Sequence, residues 1–196
     1  MPTPEQLARK KIDRQLEAAG WQVQDFKTMN IHAAAGVAVR EFPLKAGFAD
    51  YMLYVNDKAI GPVEAKPEGH TLTGVEVQSS KYTFGLPDHL PIWHRPLPFA
   101  YETTGTVTQF TNALDPDPRS REVFTFHRPE ELLRLVSQQE QVRGKLKTLP
   151  ALETEGLWAV QIEAIENLEK SFAHNRPRAL IQMATGSGKT YTAASL

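Results

Sequence analysis

Asp50, Glu64 and Lys66 are the residues whose types and spacing could do chemistry. Gly47-Phe48-Ala49-Asp50 ends in an acid, Tyr51-Met52-Leu53-Tyr54-Val55 is apolar, and Asn56-Asp57-Lys58 interrupts before a second apolar stretch reaches Val63-Glu64-Ala65-Lys66. Side chains two apart on a strand share a face, so Glu64 and Lys66 project together while Val63 and Ala65 turn to the core. A hairpin turn at Asn56-Asp57-Lys58 returns Asp50 to their side. Two carboxylates and an ammonium on a sheet rim supply hard oxygen ligands for Mg²⁺ and a cation beside an attacking water, which is the equipment of a phosphodiester-hydrolysing site.

The elements around this hairpin must hold it in place. Leu7, Ile12, Leu16 and Ala19 recur at helical spacing, predicting a helix from Glu5 to Ala19 that Gly20 stops. Its outer residues Arg9, Lys10, Lys11 and Arg14 form either a solvated face or a phosphate-contacting one. Trp21-Gln22-Val23, Val37 to Phe42, Pro98 to Thr104, Val107 to Thr111 and Val123 to Phe126 read as extended segments, and Pro129 opens a helix through Val136. Val75 to Leu86 reads as a helix carrying Gln78 and Tyr82 on one face. The polar stretch from Ser137 to Pro150 divides the chain into a first domain, 1–136, a linker, 137–150, and a second region, 151–196.

That second region holds a helix through Val160, Ile165 and Phe172, and a buried strand over Ala179-Leu180-Ile181-Gln182-Met183. The strand leads into Thr185-Gly186-Ser187-Gly188-Lys189-Thr190. A strand feeding a glycine-rich turn and a helix start is a phosphate loop: backbone N–H groups of Gly186, Ser187 and Gly188 surround a phosphate, Lys189 neutralises its oxygens and Thr190 can ligate Mg²⁺. Met183 stands where the pattern usually has its first glycine, and the form present resembles motif I of superfamily 2 helicases. Gln161 resembles the adenine-reading glutamine of the same enzymes. No acid of a second ATPase motif follows within the chain, so ATP hydrolysis by these residues alone is not expected.

Composition narrows the setting. With 41% hydrophobic and 23% charged residues the chain is of ordinary globular type, and a net charge of −1 places no global field on nucleic acid, so any DNA contact rests on local faces. The absence of cysteine excludes disulfides and thiolate metal centres, and no apolar run spans a bilayer; both point to the cytoplasm without membrane contact. The six histidines show no ligand spacing.

Taken together, Ile12-Asp13, Ala19-Gly20-Trp21, Gly47 to Tyr51, Val63 to Lys66, Gln78 with Tyr82, His127 to Leu132 and Met183 to Thr190 resemble the N-terminal part of the restriction (R) subunit of type I restriction–modification enzymes. The resemblance implies an α/β fold: a PD-(D/E)xK restriction-endonuclease-like core, with a central mixed sheet flanked by helices, followed by the opening helix and strand of a RecA-like motor. It implies Asp50, Glu64 and Lys66 as the catalytic set, though Ala49 stands in place of the family's proline, with Asp50, Glu64 and the Ala65 carbonyl holding Mg²⁺. Gln78 and Tyr82 match the family's Gln-x-x-x-Tyr motif, and Glu5 matches a helix acid that completes the site. Implied partners are double-stranded DNA and the modification (M) and specificity (S) subunits, with ATP-Mg²⁺ serving the full-length motor. Cleavage would be independent of sequence at this domain and weak or absent in the isolated chain. Two rival readings stay open: a DNA-guiding or docking module without cleavage, and a helicase-coupled repair nuclease.

Overall fold

The computed structural model describes residues 4–45, 47–69, 72, 86–87, 89–138, 141–174, 176 and 178–195. They form two compact units: Met1–Leu114 with Pro118–Gln138, and Asp115–Asp117 with Gln139–Leu196.

The first unit opens with helix α1, Pro4–Ala18, whose residues Ala8, Ile12 and Leu16 recur every four positions and are buried. It ends where Gly20 takes φ of 91° while the N–H groups of Gly20 and Trp21 donate to the carbonyls of Glu17 and Leu16 at 2.9 and 3.0 Å. These two bonds satisfy carbonyls that the helix end leaves open. Seven strands follow: β1 Gln22–Asp25, β2 Gly36–Leu44, β3 Gly47–Val55, β4 Lys58–Ala65, β5 Phe99–Thr103, β6 Thr108–Asn112 and β7 Arg121–Val123. They lie in one sheet in chain order, parallel between β1 and β2 and between β4 and β5, antiparallel elsewhere. Helix α2, Pro129–Ser137, buries Leu132 and Val136 in the same core as Ile12 and Leu16.

Residue alternation sorts the sheet into two faces. Tyr51, Val63, Tyr101 and Phe110 are register partners across β3 to β6, and all are buried in the core with α1 and α2. A second core gathers Val37, Val39, Met52, Tyr54, Leu86 and Leu97. The β3–β4 hairpin turns on Asn56 and Asp57, both with positive φ (46° and 66°), the two-residue geometry whose twist matches the strands it joins.

Three extended segments differ from the sequence-based expectation. Trp21 is not a strand residue; its indole is buried and donates to the His127 carbonyl at 2.9 Å. The strand expected over Val123 to Phe126 stops at Val123, the last residue paired with β6, and leaves Phe124 exposed.

The third lies in the second unit, which contains α3 Val142–Lys145, α4 Ala159–Ala173 and α5 Lys189–Ala194. Ala179 to Met183 is neither strand nor buried, and Leu180 is 91% exposed. A strand is made by its partners, and among the described residues of this unit no strand exists to accept its hydrogen bonds. The helix expected over Val75 to Leu86, with Gln78 and Tyr82, lies outside the described residues except for Leu86.

Candidate active site

The ladder between β3 and β4 runs outward to the Tyr51–Val63 pair and ends there. One residue further, Asp50 on β3 and Glu64 on β4 are left facing each other at the open end. The Asp50 side chain takes over part of the missing ladder: its Oδ2 accepts the Ala65 N–H at 2.8 Å. Two residues along from Glu64, the Lys66 ammonium donates to Glu64 Oε1 at 2.7 Å, as the shared-face argument requires. Asp50 and Glu64 are each 16% exposed at the side chain and Lys66 27%, so the group is half shielded rather than solvated. The Lys66 N–H donates to the Thr103 carbonyl at 2.8 Å, tying the end of this strand to β5.

Two further groups belong to the arrangement. Arg9 of α1 donates to Asp50 Oδ1 at 3.1 Å and to Glu41 Oε1 at 2.7 Å, which removes Arg9 from the solvated face. Glu102 on β5 is the parallel register partner of Glu64, and Gln109 and Glu122 continue the same row on β6 and β7. Register partners project from one face, so this polar row is the outward counterpart of the buried Tyr51–Val63–Tyr101–Phe110 row. One Glu102 oxygen, Oε2, is buried without a hydrogen-bond partner among the described residues.

The electrostatics follow from the crowding. Burial raises the Asp50 carboxyl above its ordinary value; the Ala65 N–H opposes this, Glu64 adds to it, and Arg9 opposes it. Burial likewise pushes Glu102 up to about 7, against Lys66 and with Glu64. An open cavity of about 690 Å³ adjoins Asp50, bordered by Arg9, Lys27, Arg40 and the exposed ring of Phe48. Arg40 is held by Asp13 at 3.0 Å and Asp25 at 2.9 Å, and the Tyr51 hydroxyl donates to Asp13 at 2.8 Å, so the base of α1 is bound to the sheet.

Against the sequence-based site, Asp50, Glu64, Ala65 and Lys66 come together. Glu5 lies in the first turn of α1, four residues before Arg9, and its side chain lies outside the described atoms. Asp50, Glu64 and a backbone carbonyl are hard oxygen donors suited to Mg²⁺. Among the described residues, however, no three His, Asp or Glu side chains converge as a ready metal cage. Glu41, Glu102 and the pairing of Arg9 with Asp50 escaped the sequence reading. Glu102 carried one usable signal, the alternation Phe99, Tyr101, Thr103 inward, which turns Glu102 to the opposite face; Arg9 carried none, because only packing brings α1 to β3.

In the second unit, Gly186 and Gly188 adopt φ of 84° and 74°. Gln161 is buried, accepts the Trp158 N–H at 2.8 Å, and donates to the carbonyls of Ser187 and Gly188 at 3.2 and 3.4 Å. It therefore caps α4 and fastens the glycine turn at once. The φ of Gly188 favours glycine, and a Cβ there would stand 2.4 Å from the Gln161 amide nitrogen and push this side chain off the turn. The Lys189 ammonium donates to the Ala184 carbonyl at 3.1 Å, closed over the loop, and Thr190 is exposed.

The mixed sheet with helices against it, carrying acids at a split strand pair, defines an α/β unit, and the glycine turn after it marks a second. A solved fragment of a chain named as an HsdR subunit of a type I restriction enzyme from Vibrio vulnificus YJ016 shares this architecture, at a TM-score of 0.51 and 22% identity, covering 98% of this chain and 36% of that one. The family model described as "Type III restriction enzyme, res subunit" matches residues 156–196. The chain is also 28% identical, over an alignment of 244 residues, to the type I restriction enzyme EcoKI endonuclease subunit of Escherichia coli (strain K12). That alignment covers 98% of this chain and 21% of the relative, so the chain spans about a fifth of that subunit's length. The resemblance to the N-terminal part of a type I restriction subunit is borne out. Among the described residues no helix is long and apolar enough to cross a membrane.

Proposed function

We propose that the first unit is a PD-(D/E)xK nuclease that hydrolyses DNA phosphodiesters as part of a type I restriction subunit. The observation that carries this reading is the placement of Asp50 beside Glu64 at the open end of the β3–β4 ladder, with Lys66 on Glu64 at 2.7 Å. Asp50, Glu64 and the Ala65 carbonyl would hold Mg²⁺. What the bound ion supplies is charge for the scissile phosphate and a more acidic water. Lys66 orients the attacking water and steadies the charge that develops on the phosphate. Gln78 and Tyr82 place the DNA backbone, and Glu5 assists through a water. The sequence carries no recognisable base-reading motif, so cleavage here is independent of sequence and target choice falls to a separate S subunit, with M alongside.

For the second unit we propose the start of an ATP-dependent motor, in which Gly186, Ser187, Gly188, Lys189 and Thr190 receive ATP-Mg²⁺ and Gln161 reads the base or sets the loop. Double-stranded DNA drawn by the complete motor is then the nuclease substrate, in the cytoplasm. The rival reading, a module that guides DNA without cutting it, draws support from the ion pairing of both acids in this structure.

The deciding measurement is cleavage of plasmid DNA by the reassembled enzyme carrying Asp50→Ala or Lys66→Ala in the full-length subunit. Expected is a loss of roughly 10²-fold or more in cutting, with ATP-driven translocation and the melting profile retained. Cutting at the parental rate by either variant would leave the guiding module as the better account.

A further inference from the structure

Asp50 has two carboxylate oxygens, and both are taken by the protein. Oδ2 receives the Ala65 N–H, a bond made within the sheet between neighbouring strands, while Oδ1 receives the Arg9 guanidinium. A metal ion that approaches Oδ1 meets a cation already seated there. Arg9 is anchored there from the far side by Glu41 at 2.7 Å. The β2–β3 register pairs Arg40 with Tyr51 and Phe42 with Ala49, which sets Glu41 opposite Asp50. Glu41 keeps a left-handed φ of 50°, a conformation that residues with side chains seldom adopt. The guanidinium thus bridges carboxylates of two adjacent strands, half buried at 35% exposure.

We infer that Arg9 is the resident cation of the Asp50 site, a latch that a divalent ion must displace before the site can load; this rests on the metal-binding reading of Asp50. The chemistry is competitive in two ways. A Mg²⁺–oxygen bond of about 2.0–2.1 Å leaves no room for a guanidinium on the same lone pairs. A fixed positive charge near Oδ1 also repels the incoming ion. Arg9 leaves when another anion takes it, and the anion at hand is a phosphate of the DNA backbone, for which a guanidinium is the preferred partner. Substrate and metal are then linked: DNA that takes Arg9 from Asp50 opens the seat for the ion, and the chain alone stays closed. Lys10 and Arg14 on the same helix are exposed, pair with no acid among the described residues and have no part in the latch.

Mn²⁺ alone, titrated into the 196-residue chain and followed by loss of the free-ion electron paramagnetic resonance signal, tests this. Arg9→Gln should bind Mn²⁺ roughly tenfold more tightly than the parent, whereas Arg14→Gln, which removes the same charge from the same helix, should match the parent. Arg9→Lys keeps the charge but is too short to bridge Glu41 and Asp50; it should tighten binding about threefold and covers the case in which Arg9→Gln folds poorly by circular dichroism. Equal affinities for Arg9→Gln, Arg9→Lys and the parent, with Asp50→Asn abolishing binding, would overturn the latch and leave the metal site standing. Undiminished binding by the Arg9→Gln, Asp50→Asn double variant, or no binding by any variant, would instead show that the metal reading of Asp50 is the part that failed.

Discussion

The two units hold their charged groups in different ways. In the first, Asp50 and Glu64 face each other across one hairpin, and the parallel register of β5 adds Glu102, from much further along the chain, to the same row. In the second, Ala184 to Thr190 builds its loop from neighbours a few residues apart, with Gln161 as a long-range tie, and most of its side chains stay exposed. A register-built site fails as a whole when the sheet is disturbed, whereas a locally built loop tolerates loss of its surroundings.

Glycine substitutions in the two units should break or sharpen this contrast most. A Cβ at Gly61 of β4 would come within 2.4 Å of the Phe99 carbonyl oxygen, backbone that cannot step aside without parting β4 from β5. Gly61→Ala should therefore cost about 3 kcal/mol or more. At Gly186 an added Cβ meets nothing within 4 Å, and only the φ of 84° resists, so Gly186→Ala should cost about 1 kcal/mol. Denaturant melts of both chains give the comparison, and similar costs would sink it.

Leucine truncation should separate the units by a smaller margin. Leu16 is fully buried between α1 and the sheet, and Leu16→Ala should cost about 2–5 kcal/mol, while Leu180→Ala at a 91% exposed position should stay within about 0.5 kcal/mol. A large effect at Leu180 on unfolding midpoint would mean that the apolar run from Ala179 to Met183 is covered in solution.

The smallest effect tests the polar row and depends on pH. Glu102 titrates at about 7 in the folded chain against an ordinary 4.5, so between these values the folded state binds more protons than the unfolded one. Stability therefore falls as pH rises through this window, and above it the charged carboxylate lies half buried beside Glu64. Glu102→Gln should raise the melting free energy at pH 8 by about 1 kcal/mol, a figure reduced for solvent screening, and bring no gain at pH 5. An equal gain at both pH values would mean that packing, not charge, is responsible.

Much of the candidate site was legible in the sequence. Alternation placed Glu64 and Lys66 on one face, and the Asn56-Asp57 turn returned Asp50 to them; both follow from the two-residue period of a strand and from turn chemistry. The helix spacing of Ile12 and Leu16 identified the buried side of α1. The role of Arg9 stayed open because a helix's outer face looks alike whether it meets water, a phosphate or a carboxylate on another strand. The Ala179 to Met183 run was misjudged for the opposite reason: five residues of strand-like composition carry no information on whether a partner strand lies beside them.

Local patterning alone was enough to specify the hairpin, the amphipathic helix and the glycine turn at Gly186 and Gly188, because strand alternation, helical spacing and glycine φ are properties of short stretches of chain. The partner of Asp50, the row that joins Glu64 to Glu102, and the exposure of Leu180 came from the folded chain. Each depends on which distant segment packs alongside, and a cation on Asp50, a carboxylate beside a carboxylate or a missing neighbour strand leaves no periodic trace in the residues themselves.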